Sequence, residues 1–165
     1  METQHRTKSG IVWTLTGNII KFDLVSNGMT GLEWLNFLPT LGYRVEDGAP
    51  EILTSGFIVP TPAGTIHHVC LIRGQAFSDR YRTTRNIIAL GQGTMGWKQP
   101  HLEISMLTRW HFTDDKIKGM ELEEIATMHL PINGCFLDID RGELESAPAA
   151  DGDLWHEGHG FMFEE

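Results

Sequence analysis

Two runs of alternating apolar and polar residues open the chain and predict its first strands. Ile11–Thr16 and Ile19–Val25 flank Gly17-Asn18, a pair suited to the positive φ of a two-residue hairpin turn. With Thr16 opposite Ile19, Leu15 faces Ile20, Trp13 faces Phe22 and Ile11 faces Leu24. Those six apolar side chains share one face of the hairpin, and Val12, Thr14, Lys21 and Asp23 share the other. A slip of one residue would turn every apolar side chain to the wet face, so the pattern fixes the register.

Helical signals follow. Thr30-Gly31-Leu32-Glu33 has the form of a capping box, in which the Thr30 hydroxyl and the Glu33 carboxylate each satisfy a free amide. Leu32, Trp34, Leu35, Phe37 and Leu38 supply the apolar side of that helix, and Pro39 stops or kinks it. Asp47 is placed to cap a second short helix with Pro50 in its first turn. Residues 56–64, with Pro60 and Pro62, read as a loop. Ile66–Arg73 is apolar on both sides apart from His67 and His68, the pattern of a central strand.

Ser78 then caps a helix running to about Leu90, where Gly91 and Gly93 let it end. Leu102–Leu107 reads as the next strand. Thr113 caps a short helix over Asp114–Lys118, acids first and lysines last. Leu122–Leu130 returns as a strand before Pro131, so strand–helix–strand occurs twice in succession. Phe136–Ile139 reads as a short strand, Glu143–Asp153 as a loop and Gly160–Glu165 as a closing edge segment. The fold class expected is α+β: one mixed β-sheet with an N-terminal hairpin and three to four short helices, mainly on one face. Residues 1–10 are expected to be a flexible arm ahead of a single domain over 11–165.

Composition narrows the function classes. A chain of 165 residues buries a core without disulfides or metal. No apolar run approaches the roughly 18 residues of a membrane span. Met1–Gly10 lacks the apolar middle of a signal peptide. Cys70 and Cys135 form neither a disulfide framework nor a ligand spacing, which points to a reducing, cytoplasmic location. Residues 1–120 hold 12 Lys and Arg against 10 Asp and Glu, whereas residues 121–165 hold only Arg141 against 12 acids. That acidic C-terminal third repels phosphates and argues against nucleic acid as a partner.

The densest polar stretch is Ser78–Asn86. Arg82 and Arg85 lie three apart, and Thr83 and Asn86 add donors near a helix start, which together suit a phosphate or carboxylate. The competing reading is structural: capping residues, and arginines paired with acids of the C-terminal third. His156 and His159 have ligand-like spacing but lack a helical frame for zinc, so no metal is expected. His67 and His68 point to opposite faces of a strand, and His129 ends another. Glu103, Glu123 and Glu124 form no defined acid–base pair. Gly91–Gly96 matches Gly-x-Gly-x-x-Gly but follows a helix instead of opening one, and no motif calls for a cofactor. Phe161 and Phe163 alternate at the C-terminus, where an apolar strand could meet a second subunit.

Several segments carry a resemblance: Thr30–Leu35, Gly42-Tyr43-Arg44-Val45, Phe77-Ser78-Asp79 with Arg82-Thr83-Thr84 and Asn86-Ile87, Phe112–Asp115, and Thr127–Ile132. In this order, over roughly residues 30–132, the chain resembles a family of small bacterial proteins of uncharacterised activity, from uncultured bacteria and metagenomes. Pro39 departs from the pattern. The resemblance implies a shared fold and carriage on mobile gene cassettes, and it implies no activity. The function expected is a non-catalytic binding or interaction protein forming a homo-oligomer, with a second copy of itself as partner in a homodimer. The alternative is a small enzyme or binding protein for an anionic ligand. There Arg82 and Arg85 would clamp, Thr83 and Asn86 orient, and His129 serve as the acid–base group. An unidentified protein is a further possible partner, and a membrane is not.

Overall fold

A computed structural model describes residues 2–7, 9–56, 58–129, 135–140 and 142–165. Among them nine strands form one mixed sheet: β1 (Glu2–Arg6), β2 (Val12–Thr16), β3 (Ile19–Val25), β4 (Arg44–Val45), β5 (Ile66–Arg73), β6 (Glu124–Thr127), β7 (Cys135–Asp140), β8 (Glu143–Pro148) and β9 (His159–Glu164). Their order across the sheet is β1-β2-β3-β5-β9-β6-β7-β8-β4. Only β6 with β9 and β4 with β8 run parallel; the other neighbours are antiparallel. The fold is α+β, as the sequence pattern implies.

The hairpin forms in the predicted register, with Trp13 opposite Phe22, Leu15 opposite Ile20 and Thr16 opposite Ile19. β5 is a central strand buried on both faces: Val69 and Leu71 belong to one apolar cluster, Cys70 and Ile72 to the other. Over the first face lie α1 (Gly31–Phe37), α2 (Ala49–Thr54), α4 (Glu103–His111) and α5 (Asp114–Gly119), which contribute Trp34, Leu53, Ile104, Leu107 and Ile117 to its core. Over the second lies α3 (Thr84–Ile88), with Ile87, Trp97 and Ala149 packed on Phe161 and Phe163. Among the described residues five α-helices thus stand where three to four were expected, and all but α3 share one face. Among the described residues, no helix is long and apolar enough to cross a membrane.

Local signals hold where side chains reach their own backbone. Both arms of the Thr30–Glu33 capping box are present. After α1, Pro39 sits in the opening of a tighter 3-10 turn, Leu38–Leu41. The cap of α2 is Gly48 in the left-handed region instead of Asp47. Ser78 does not cap α3: it stands at the N-cap of an intervening 3-10 turn, Asp79–Tyr81, without a side-chain cap bond, and Thr83 caps α3 by accepting from the Asn86 amide. α3 does not end at Gly91. It widens into a π-helical stretch, Ala89–Thr94, in which Gly91 lies against the Phe163 ring where a Cβ would clash.

Four expectations about strands fail for tertiary reasons. Glu2–Arg6, read as part of a flexible arm, is an edge strand on β2, with His5 stacked on Trp13 at 4.0 Å. Leu102–Leu107, read as a strand, is the N-cap and opening turns of α4. Seven successive residues, Glu103–Arg109, are buried between sheet and neighbouring helices, so no polar face marks the helical period. The repeated strand–helix–strand unit therefore dissolves, and β5 and β6 end up on either side of β9. Glu143–Pro148, expected as loop, pairs with β7. Gly160–Glu165 is no edge: β9 is the middle strand of the sheet, between β5 and β6. The strand predicted to end at Leu130 before Pro131 is β6, and those two residues lie outside the described ones.

Candidate functional site

On the first face of the sheet, β5, β9 and the start of α4 converge on a buried cluster of charged side chains. Val69 pairs with Glu164 across β5 and β9, which brings His67, two residues earlier, beside the Glu164 carboxylate. His67 Nδ1 lies 2.8 Å from Glu164 Oε1, and its Nε2 contacts Glu103 Oε1. His67 is 2% exposed and Glu103 is fully buried. A neutral imidazole has one N–H to donate, so a ring flanked by two carboxylates is held as imidazolium. Burial works to lower the His67 pKa, but the bonds to Glu103 and Glu164 outweigh it and raise it to about 9.

The two carboxylates are themselves held. Burial favours the neutral form of Glu103, yet bonds from His67, Thr61 and Ser26 bring its pKa below the ordinary value. Ser26 Oγ sits 3.2 Å from Glu103 Oε2, and Thr61 bonds the other oxygen. Glu164 is likewise lowered against burial, by His67 and by the His101 amide, which donates to Oε2 at 3.2 Å. Glu103 also occupies the first turn of α4, where a negative charge suits the helix dipole. The cluster therefore fastens two strands, a helix and the loop after α2 at one point.

His101 and His129 border this cluster. The His101 ring lies 5.7 Å from that of His67. His129, the acid–base candidate, donates from Nδ1 to the Pro100 carbonyl at 2.7 Å, and burial lowers its pKa. It stands at the opposite end of the site from Arg82 and Arg85, which lie on the second face with α3.

Arg82 is 4% exposed, and most of its donors are taken up by main-chain carbonyls. Nε donates to the Gly74 carbonyl at 2.9 Å, and the terminal nitrogens donate to Trp155 O at 3.2 Å, Phe77 O at 3.0 Å and Asp79 Oδ1 at 3.2 Å. Thr83 caps α3 and Asn86 Nδ2 donates to Tyr81 O. Arg85 is exposed and pairs with Asp151 of the acidic third at 3.2 Å. Amides of Thr84 and Arg85 bond the carbonyls of Asp153 and Asp151, so this stretch is stitched to residues 150–155. Beside it lies a shallow cleft of about 370 Å³ whose lining includes Arg82, Asp79 and Glu157. Two carboxylates at that opening oppose an anion.

The remaining candidates separate. His156 pairs with Glu123 at 3.2 Å and His159 with Glu124 at 2.5 Å, each ring turned to its own acid. Among the described residues no group of three or more His, Cys, Asp or Glu is placed to hold a metal. Phe161 and Phe163, expected at an interface, are fully buried in the second core cluster. Cys70 is buried and its thiol is pushed up to about 11, mainly by burial. Sequence reading missed the partnership of His67, Glu103 and Glu164. The signal was present in a charged residue, Glu103, inside an apolar run, and in a histidine within a central strand.

Two predictions follow from this geometry. His67 binds its proton more tightly when folded, so its contribution is complete below its ordinary value of 6.5 and lost as pH rises through about 9. Thermal melts should show the wild-type chain losing about 3 kcal/mol across that window, and Glu103→Gln, which leaves His67 half paired, should flatten the loss. Separately, Arg82→Ala should cost about 3 kcal/mol or more in urea unfolding, because buried carbonyls lose their donors. Arg85→Ala should stay within about 0.5 kcal/mol of wild type.

The chain matches no protein-family model, no curated protein and no solved structure, and the site stands on its own geometry.

Proposed function

We propose that the chain is a non-catalytic binding or interaction protein that works as a homo-oligomer, in the simplest form a homodimer. The observation that carries this reading is the direction of its polar groups. The Arg82 guanidinium is committed to three internal carbonyls and Asp79. His67 is committed to Glu103 and Glu164. Both concentrations of charge brace the framework, whereas the outer edge of the sheet at β1 keeps main-chain donors and acceptors open to solvent.

Surface apolar groups add to this reading. Val25 and Ile66 are cross-strand neighbours, 49% and 53% exposed, and leave a place for a protein contact. A reducing, cytoplasmic setting suits the buried Cys70 thiol. The alternative, a small anionic ligand at Ser78–Asn86, draws less support, because Arg82 is enclosed and acids line the cleft beside it.

Sedimentation equilibrium of the tag-free chain over a concentration series tests the proposal. The expected result is reversible monomer–dimer behaviour at physiological salt. A chain that stays monomeric over the whole series contradicts it.

A further inference from the structure

Resting on the homo-oligomer reading, we infer that two copies of the chain join edge to edge through β1, antiparallel and centred on Gln4, with Glu2 of each copy opposite Arg6 of the other. β1 is a terminal strand of the sheet, and all five of its residues are exposed. It contains neither proline nor lysine, two residues that commonly blunt an edge, and its two charged residues, Glu2 and Arg6, are of opposite sign. Its backbone is held in extended form by the ladder to β2 and by the His5–Trp13 stack. The ordering cost of a free strand has therefore already been met within one copy.

Main-chain direction fixes which residues can pair. The Thr7 amide donates to the Ile11 carbonyl at 2.8 Å, just beyond the β1–β2 ladder. In the same register His5 lies opposite Trp13 and Thr3 opposite Leu15. Bonding alternates along an antiparallel pair, so the odd-numbered residues turn their N–H and C=O toward β2. Glu2, Gln4 and Arg6 turn theirs outward. A second strand meeting this edge must pair even positions with even positions.

Charge then selects among the symmetric registers. Centring on Gln4 sets Gln4 against Gln4 and places two Glu–Arg pairs directly across from each other on one face. All three outward residues of each copy are then hydrogen-bonded. Centring on Glu2 sets Glu2 against Glu2, and centring on Arg6 sets Arg6 against Arg6, each a repulsive cross-strand pair. Centring on Thr3 or His5 leaves one charged residue of each copy without a counterpart. The five-residue sequence Glu-Thr-Gln-His-Arg is thus complementary to itself in one antiparallel register, and a two-fold axis through Gln4 gives a closed dimer with no further edge in use.

Among the described residues the opposite end of the sheet is already partly occupied: β4 covers Glu143 and Leu144 of β8, and the Ser146 amide beyond it bonds the Asp47 carbonyl. β4 has two residues, and Arg44 there is paired with Glu143 within the chain. The self-complementary edge is β1.

A charge-swap series on the full tag-free chain tests the assignment by sedimentation equilibrium, with circular dichroism confirming the fold. Glu2→Arg and Arg6→Glu each place like charges opposite, and each should weaken dimerisation by about tenfold or more. The double variant E2R/R6E restores opposite charges and should recover the dimer. Gln4→Pro removes an outward amide, leaves the bonds to β2 intact and should abolish dimerisation. A dimer that persists unchanged in the single variants and in Gln4→Pro overturns the β1 assignment while leaving the homo-oligomer reading standing on another surface. Failure of the double variant to recover overturns the Glu2–Arg6 pairing. A wild-type chain with no dimer overturns both readings.

Discussion

A buried histidine held between a buried and a half-buried carboxylate at one end of the sheet sets the terms for the rest of this structure. Each of the groups in the His67–Glu103–Glu164 cluster would be costly alone in an apolar layer, by several kcal/mol after relaxation. Together they balance: the ring donates to a carboxylate on either side, and the surplus negative charge is met by Thr61, Ser26 and the His101 amide. Such a cluster adds little net stability over a well-packed apolar one, but it tolerates one arrangement. A shifted β9 or a turned α4 would leave a charge buried without its partner. The cluster thus specifies position more than it adds strength.

The second face follows the same logic with a different residue. Arg82 gathers carbonyls from the turn after β5, from its own neighbourhood and from the loop before β9. Trp155, whose carbonyl it binds, in turn donates from its ring to Thr84. The arginine fixes how residues 150–155 approach α3, and that approach sets the Trp155 ring edge-on to Phe161. One polar clamp on each face holds the C-terminal strand in the middle of the sheet. Among the described strands β9 comes last in chain order and lies in the middle, so β5 and β6 are joined only through it.

What the sequence revealed and what it concealed divide along physical lines. The hairpin and the Thr30–Glu33 capping box were legible because their determinants lie within a few residues of one another. β5 was legible because a strand buried on both faces has a distinctive apolar run. α4 was not, because burial on every side removes the helical period and leaves a pattern that alternation fits equally well. β9 was misplaced because its last residues are charged, and nothing local tells Glu164 that His67 will lie beside it. The bracing role of Arg82 was foreseen as a class of behaviour, although its partners are mostly backbone carbonyls instead of acids. Phe161 and Phe163 misled because apolar alternation at a chain end looks the same whether the partner is another subunit or the chain's own core.

The clamp at the end of the sheet requires that His67 hold both of its ring protons. A ¹⁵N NMR titration of the histidine rings reads this directly. Both His67 nitrogens should carry a proton at neutral pH and keep it until about pH 9. A His67 ring that loses a proton near the ordinary value of 6.5, with one nitrogen bare at neutral pH, would contradict the imidazolium clamp and the framework built on it.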